Sequence, residues 1–277
     1  MTGPLVSICI PAYQAERHLR HTLRRVLNQT ADSFEVVVLD NATTDGTAEI
    51  LRDHADPRMR VVRNSEVLPL VDNWNRLLSL AEGTLVKVVC ADDLIRPDAV
   101  ERQQRILMSR PDVSLVASRR HLVDDDGVIV ALDRGLAGLF GPQDSQKVVR
   151  NVVRNGGNPL GETAGAMFRR ADFERVGGFD GRLLFPMDLD LWIKLLKLGS
   201  FFGHSESLAA FRVSRTSLSA RVSRVQYQEQ GLLIQQVIRD PHWQIRRWDT
   251  TVSAVGAPLA GLRRALLFGA TRLGATL

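Results

Sequence analysis

Acidic side chains stand at three places where an apolar run stops. Residues 84–94 read TLVKVVCADDL, an apolar run closed by two adjacent carboxylates, Asp92 and Asp93. Asp40 and Asp45 bracket the polar stretch after FEVVVL at 34–39, and Asp188 and Asp190 open the segment MDLDLW at 187–192. Neighbouring carboxylates repel unless a cation lies between them. Hard oxygen donors suit Mg²⁺ or Mn²⁺ better than zinc. The competing reading is that each aspartate serves a turn or caps a helix. Three such sites in one chain are harder to explain by capping alone. Ligands bind outside the carboxyl ends of the strands in open α/β sheets, where strand ends on one edge converge.

The elements that must position these carboxylates follow from hydrophobic periodicity. Strands are expected at 5–10, 34–39, 59–62, 84–90, 113–117, 164–168 and 207–213, with a hairpin joining 120–123 to 128–130 through the turn Asp124-Asp125-Asp126-Gly127. Helices are expected at 15–28, 47–55, 73–81, 98–109, 145–155, 170–176 and 187–198. Pro11, Ala12, Tyr13 and Gln14 read as a turn after the first strand, and Cys90 as part of a buried strand. Strands alternating with helices define an α/β fold with a doubly wound, mostly parallel sheet. Residues from 224 onward read mostly as helix, interrupted at Pro241 and Pro258.

Composition narrows the function. With 277 residues and 44% apolar content the chain can build a sizeable core. Two cysteines, Cys9 and Cys90, suit a reduced, cytoplasmic interior better than a disulfide framework. No apolar run reaches the roughly 18 residues of a bilayer span. The net charge of +5 is concentrated at the end of the chain: from Arg212 onward there are ten arginines and three acids. No Gly-x-Gly-x-x-Gly, Walker loop or zinc-ligand spacing of histidines is present. The three aspartates at 124–126 do not follow the calcium loop of an EF-hand. The basic tail has too few aromatics for a base-stacking surface, so no nucleic-acid partner is expected.

Five segments in order, SICIPAYQAERHL at 7–19, LDNATTDGT at 39–47, ADDLIRP at 91–97, GGFD at 177–180 and MDLDLWIKLLKLG at 187–199, resemble the inverting nucleotide-sugar glycosyltransferases of family 2, which have the GT-A fold. The resemblance spans about residues 5–215, so residues 1–215 are expected to form the catalytic domain and 216–277 a basic helical extension. It implies a nucleobase pocket at Pro11, Ala12 and Tyr13, with Asp40 accepting the imide N–H of uracil or thymine and Asp45 shaping the loop. Asp93 would hold Mg²⁺ or Mn²⁺, Asp92 would meet the ribose or sugar, and Asp188 would be the general base. Arg212, with Arg215, would hold the diphosphate, and Lys87 and Arg63 are further phosphate or loop candidates. Asn158, Glu162 and Trp192 are acceptor candidates, although Trp192 at helical spacing with Leu191 and Leu195 also reads as core. The family's full three-aspartate pattern is missing here, since Cys90 and Ala91 precede the pair, and Met187 stands where a glutamate is usual.

These residues imply a nucleotide-sugar donor and a carbohydrate, lipid-linked or small-molecule acceptor. Leu259, Leu262, Leu266, Leu273 and Leu277 fall on one helical face, with Arg263, Arg264 and Arg272 elsewhere. Such a segment could lie peripherally on the inner face of an anionic membrane, pack on the catalytic domain, or join two copies in a homo-oligomer. Two rivals remain at this level: a sugar-phosphate nucleotidyltransferase, which would need a glycine-rich basic loop that PAYQAERHL lacks, and a non-catalytic carbohydrate- or nucleotide-binding module.

Overall fold

The computed structural model describes residues 3–213 and 223–254. The leucine face beginning at Leu259 therefore lies outside the described residues, as does Arg215. Strands β1 (Val6–Ala12), β2 (Phe34–Asp40), β3 (Met59–Arg63) and β4 (Leu85–Val88) lie in the order β3-β2-β1-β4, all parallel. Helices α1 (Leu19–Leu27), α2 (Thr47–Asp53) and α3 (Leu70–Ser79) make the crossovers. The chain continues through β5 (Leu94–Ile95), α4 (Ala99–Ser109), β6 (Val113–Val123), β7 (Ile129–Arg134), β8 (Gly141–Gln143) and α5 (Ser145–Asn155). Then come β9 (Ala166–Arg169), α6 (Arg170–Arg175), α7 (Met187–Leu195), β10 (Ser200–Arg212), α8 (Ser223–Arg239) and a 3₁₀ turn (Pro241–Trp243).

The parallel order belongs to the four strands that lead to Asp40 and Asp92. Beyond β4 the sheet is mixed, because β9 inserts antiparallel between β4 and β6, and β10 runs parallel to β6 but antiparallel to β5 and β8. The α/β class and the flanking helices are as expected from the sequence, with this mixture added. Successive residues of β2 serve opposite faces: Val37 and Leu39 join one core, Val36 and Val38 the other. That period of two, buried on both sides, is why the strand reads as an unbroken apolar run.

Two expectations about strand ends are corrected, and both bear on the site. Pro11 and Ala12 do not form a turn but continue β1, opposite Leu39 and Asp40 of β2. Proline is accommodated there because the ladder between β1 and β4 stops at Cys9 opposite Val88, so its missing N–H faces no strand on that side. Conversely β4 stops at Val88, and Cys90 lies beyond it, at the mouth of a cleft rather than inside the sheet.

The described part of the C-terminal region is no separate body. Leu233, Ile234 and Val237 of α8, together with Trp243, belong to the same core as Phe168, Phe173 and Trp192. Asp249 is fully buried and receives the Arg154 guanidinium of α5 at 2.6 Å from Nε. The Glu229 carboxylate of α8 accepts the Phe185 N–H at 2.8 Å, which braces the loop leading into α7.

Candidate active site

The parallel strands β1, β2 and β4 end on one edge, and a cleft of about 550 Å³ opens there. Pro11, Tyr13, Gln14, Arg17 and His18 line it from the end of β1 onward, Asn41 from the end of β2, and Cys90, Ala91 and Asp92 from the end of β4. Leu68, Asn73 and Trp74 close the far wall. That wall is held by a network of asparagines. Asn64 donates to Asn41 Oδ1 at 2.7 Å and to Asn73 Oδ1 at 2.8 Å, while Asn41 donates to the Leu68 carbonyl at 3.0 Å. Asn41 sits inside the motif LDNATTDGT, but Asn64 and Asn73 carry no sequence signal; only the fold brings them together.

Tyr13 is exposed at the cleft, Pro11 lines it, and Ala12 is buried beneath. Asp40, the last residue of β2, is buried; its carboxylate accepts the Thr43 N–H at 2.9 Å and is ion-paired with Arg63. Arg63 thus serves the loop by fixing Asp40. Asp45 accepts the N–H groups of Glu16 and Thr47, each at 3.1 Å, tying the loop after β1 to the start of α2.

Past β4 the acidic turn is pinned to α1 by the Thr22 hydroxyl, which lies 2.9 Å from the carbonyls of both Ala91 and Asp93. Asp93 is fully buried. Its Oδ1 accepts the Arg212 N–H at 3.1 Å, whereas its Oδ2 is buried without a partner. Burial and the adjacent Asp92 charge push the Asp93 carboxyl well up from its ordinary range, and burial raises Asp92 too. An orphaned buried carboxylate oxygen beside a second carboxylate is a costly arrangement that a cation would relieve. Cys90, Asp92 and Asp93 each offer a ligand atom, all within 4.8 Å of one another. The residues present therefore fit a divalent cation.

Asp188 lies in the first turn of α7. Its Oδ1 accepts the Leu189 N–H at 2.7 Å and its Oδ2 accepts from Asn158 Nδ2 at 3.0 Å. Burial, then the negative charge of Glu162, pushes its carboxyl up to about 7; the Leu189 N–H and Arg120 oppose this. Glu162 also acts on Asp93, and Asp188 on Cys90, so the carboxylates of three distant segments share one electrostatic neighbourhood. Asp190 does not hold Asp188; it pairs with Lys194 one turn on, at 2.6 Å.

Five further candidate residues have protein partners of their own. Trp192 is 1% exposed, packs against Phe168 and donates its indole N–H to the Gly161 carbonyl at 3.0 Å, so it is core and not an acceptor platform. Asn158 orients Asp188, and Glu162 is bound by Arg120 Nη2 at 2.8 Å. Lys87 is buried under the sheet, donating to Gln103 and to the Ala164 carbonyl at 2.6 Å, where burial lowers its pKa to about 7; it is no phosphate ligand. Arg212 is buried, and its guanidinium donates to the carbonyls of Asp92 (3.0 Å), Asp124 (2.6 Å) and Asp125 (2.9 Å). It clamps the hairpin turn onto the acidic turn and is spent before any diphosphate arrives. Arg212→Ala should cost about 2–4 kcal/mol in urea denaturation, since three carbonyls lose a charged donor. Arg212→Lys should recover little of it, because one ammonium cannot reproduce the fork. Arg17 and His18 line the cleft and flank Asp125 at 3.4 and 3.6 Å; burial and the nearby Arg212 and Arg17 charges lower the His18 pKa, so it stands there as a neutral imidazole beside the Arg17 cation.

Residues 7–177 match the family Glycosyl transferase family 2, and the chain belongs to it. It is 28% identical over 248 residues to the uncharacterized protein MT1568 of Mycobacterium tuberculosis (strain CDC 1551 / Oshkosh), covering 86% of this chain and 77% of that protein. It is 27% identical over 223 residues to the putative teichuronic acid biosynthesis glycosyltransferase TuaG of Bacillus subtilis (strain 168), covering 78% of this chain and 82% of the relative. Among solved structures, the mannosyltransferase PcManGT from Pyrobaculum calidifontis, in complex with GDP-Man and Mn²⁺, superposes with a TM-score of 0.66 at 20% identity, over 100% of this chain and 77% of that one. The last likeness shows a shared GT-A fold. The protein is a glycosyltransferase that takes its sugar from a nucleoside diphosphate donor. Among the described residues no helix is long and apolar enough to cross a membrane.

Proposed function

We propose that the enzyme inverts: it moves a sugar from a UDP- or dTDP-sugar to an acceptor hydroxyl in one in-line displacement, with Asp188 as general base. The observation that carries this reading is a carboxyl poised at about 7, in one neighbourhood with the acidic turn at the mouth of the nucleotide-sized cleft. A base of that strength is half ionised near neutrality, the optimum for accepting a proton in the transition state. Asn158 and the Leu189 N–H hold it in place. As the acceptor oxygen attacks the anomeric carbon, its proton passes to Asp188 and the diphosphate departs on the opposite face.

Asp93, with Asp92 beside it, would hold Mg²⁺ or Mn²⁺, and the bound ion supplies charge neutralisation at the departing diphosphate. Arg17 and His18 face the same cleft and take the phosphate role first expected of Arg212. For the base, Tyr13 and Pro11 form one side and the asparagine-held wall the other, while Asp40, buried beside the cleft-lining Asn41 and held by Thr43 and Arg63, accepts the imide N–H. Residues 1–215 carry the chemistry, and the α8 region acts as a brace rather than an independent domain. The acceptor is a saccharide of a cell-surface polymer or glycoconjugate; the relative TuaG is named for teichuronic acid biosynthesis.

Two measurements test this. Thermal shifts with UDP, dTDP and GDP, each with and without Mn²⁺, should show the largest stabilisation for a pyrimidine diphosphate with metal; a larger shift for GDP overturns the base assignment. Proton NMR of the transfer product from an α-linked donor should show a β-linkage, and an α-product overturns inversion.

A further inference from the structure

We propose that the cation site of this chain has a sulfur donor. Cys90 joins Asp92 and Asp93, so the site takes a thiophilic divalent cation such as Co²⁺ or Cd²⁺ and holds it far more tightly than Mg²⁺. The inference rests on the reading of Asp93 as the metal carboxylate and adds a ligand to it. Two observations support the addition. Because β4 ends at Val88, Cys90 is carried out of the sheet to the cleft lining, beside Asp92. Its sulfur and one oxygen of each aspartate already lie within 4.8 Å of one another, and the Oδ2 of Asp93, a residue only 1% exposed, is buried without a partner.

Thiolate donors select soft and borderline ions, whereas carboxylates alone suit Mg²⁺ and Mn²⁺. When the ion binds, the sulfur–metal bond forms as the thiol proton passes to solvent. Cys9, the other cysteine, is fully buried in β1 and is left untouched by the test.

The test is Co²⁺ titration of the full chain followed by absorption, with Mn²⁺ and Mg²⁺ binding measured in parallel by calorimetry. The wild type should develop a sulfur-to-cobalt charge-transfer band. Cys90→Ser and Cys90→Ala should lose the band and bind Co²⁺ and Cd²⁺ at least about tenfold more weakly, with Mn²⁺ affinity changed much less. Should both variants misfold, wild-type Cys90 serves instead: Cd²⁺ should protect it from thiol alkylation and Mg²⁺ should not. Cobalt binding without the band, variants that keep wild-type affinity, or alkylation that Cd²⁺ leaves unchanged would each overturn the sulfur donor. If Asp93→Asn also leaves cation affinity intact, the metal reading itself has failed, which separates the two failures.

Discussion

Asp188→Asn should lower kcat by about 10²- to 10⁴-fold, the range a positioned general base contributes. The donor Kd should stay near wild type, because Asp188 lies in α7 and does not line the nucleotide cleft. Asparagine keeps the shape and still accepts from the Leu189 N–H, losing only the Asn158 hydrogen bond, so loss of fold is not the cause. The wild-type rate should rise with pH and level off above about 7, where the carboxyl is ionised. Stability should run the other way. In the unfolded chain this aspartate loses its proton near 3.8, whereas the folded one keeps it up to about 7. Between those values the native state binds more protons, so the residue's contribution is fully present below the lower value and is lost as pH rises through the upper one. Asp188→Asn, neutral throughout, should therefore raise Tm at pH 8 by more than at pH 5. A rate that survives the substitution, or a Tm gain larger at pH 5, removes Asp188 as the base.

Asp93→Asn should be the second severe change. Several kcal/mol of leaving-group stabilisation by the cation, at tenfold per 1.36 kcal/mol, amounts to roughly 10²- to 10³-fold in kcat. The defect should be recovered only in part by raising Mn²⁺, and chelation of the wild type should reproduce it. The variant should remain folded: its amide keeps an acceptor for the Arg212 N–H and removes the like-charge repulsion from Asp92. Undiminished turnover by Asp93→Asn, or a wild type indifferent to chelation, would leave the acidic turn a structural feature alone.

Asp188 and Asp93 are both legible in the sequence. An apolar run that ends in charge is legible because a strand buried on two faces cannot carry charge until it leaves the sheet. Asp40, Asp92 and Asp93 stand where such runs stop, and the order of the segments marks Asp188 and the family. Legibility fails where a residue's task depends on partners far along the chain. Arg212 and Lys87 read as phosphate ligands because a cation near a binding loop has that meaning in one dimension. Burial instead turned both toward carbonyls, as an unpaired charge out of water is too costly to leave idle. Trp192 was ambiguous for the same reason, and the Gly161 carbonyl decided it.

The primary structure by itself determined the α/β class, the two-sided burial of the first strands and the identity of the acidic groups, because these depend on local periodicity and on where polarity changes. Only the tertiary structure decided that β9 reverses direction beside β4, and that Cys90 leaves the sheet to face Asp92. It alone joined Asn158 to Asp188 across 30 positions and set Glu229 of α8 beneath the loop before α7. Those are contacts between segments distant in the chain. They are fixed by which surfaces pack together, and no short window of residues carries that information.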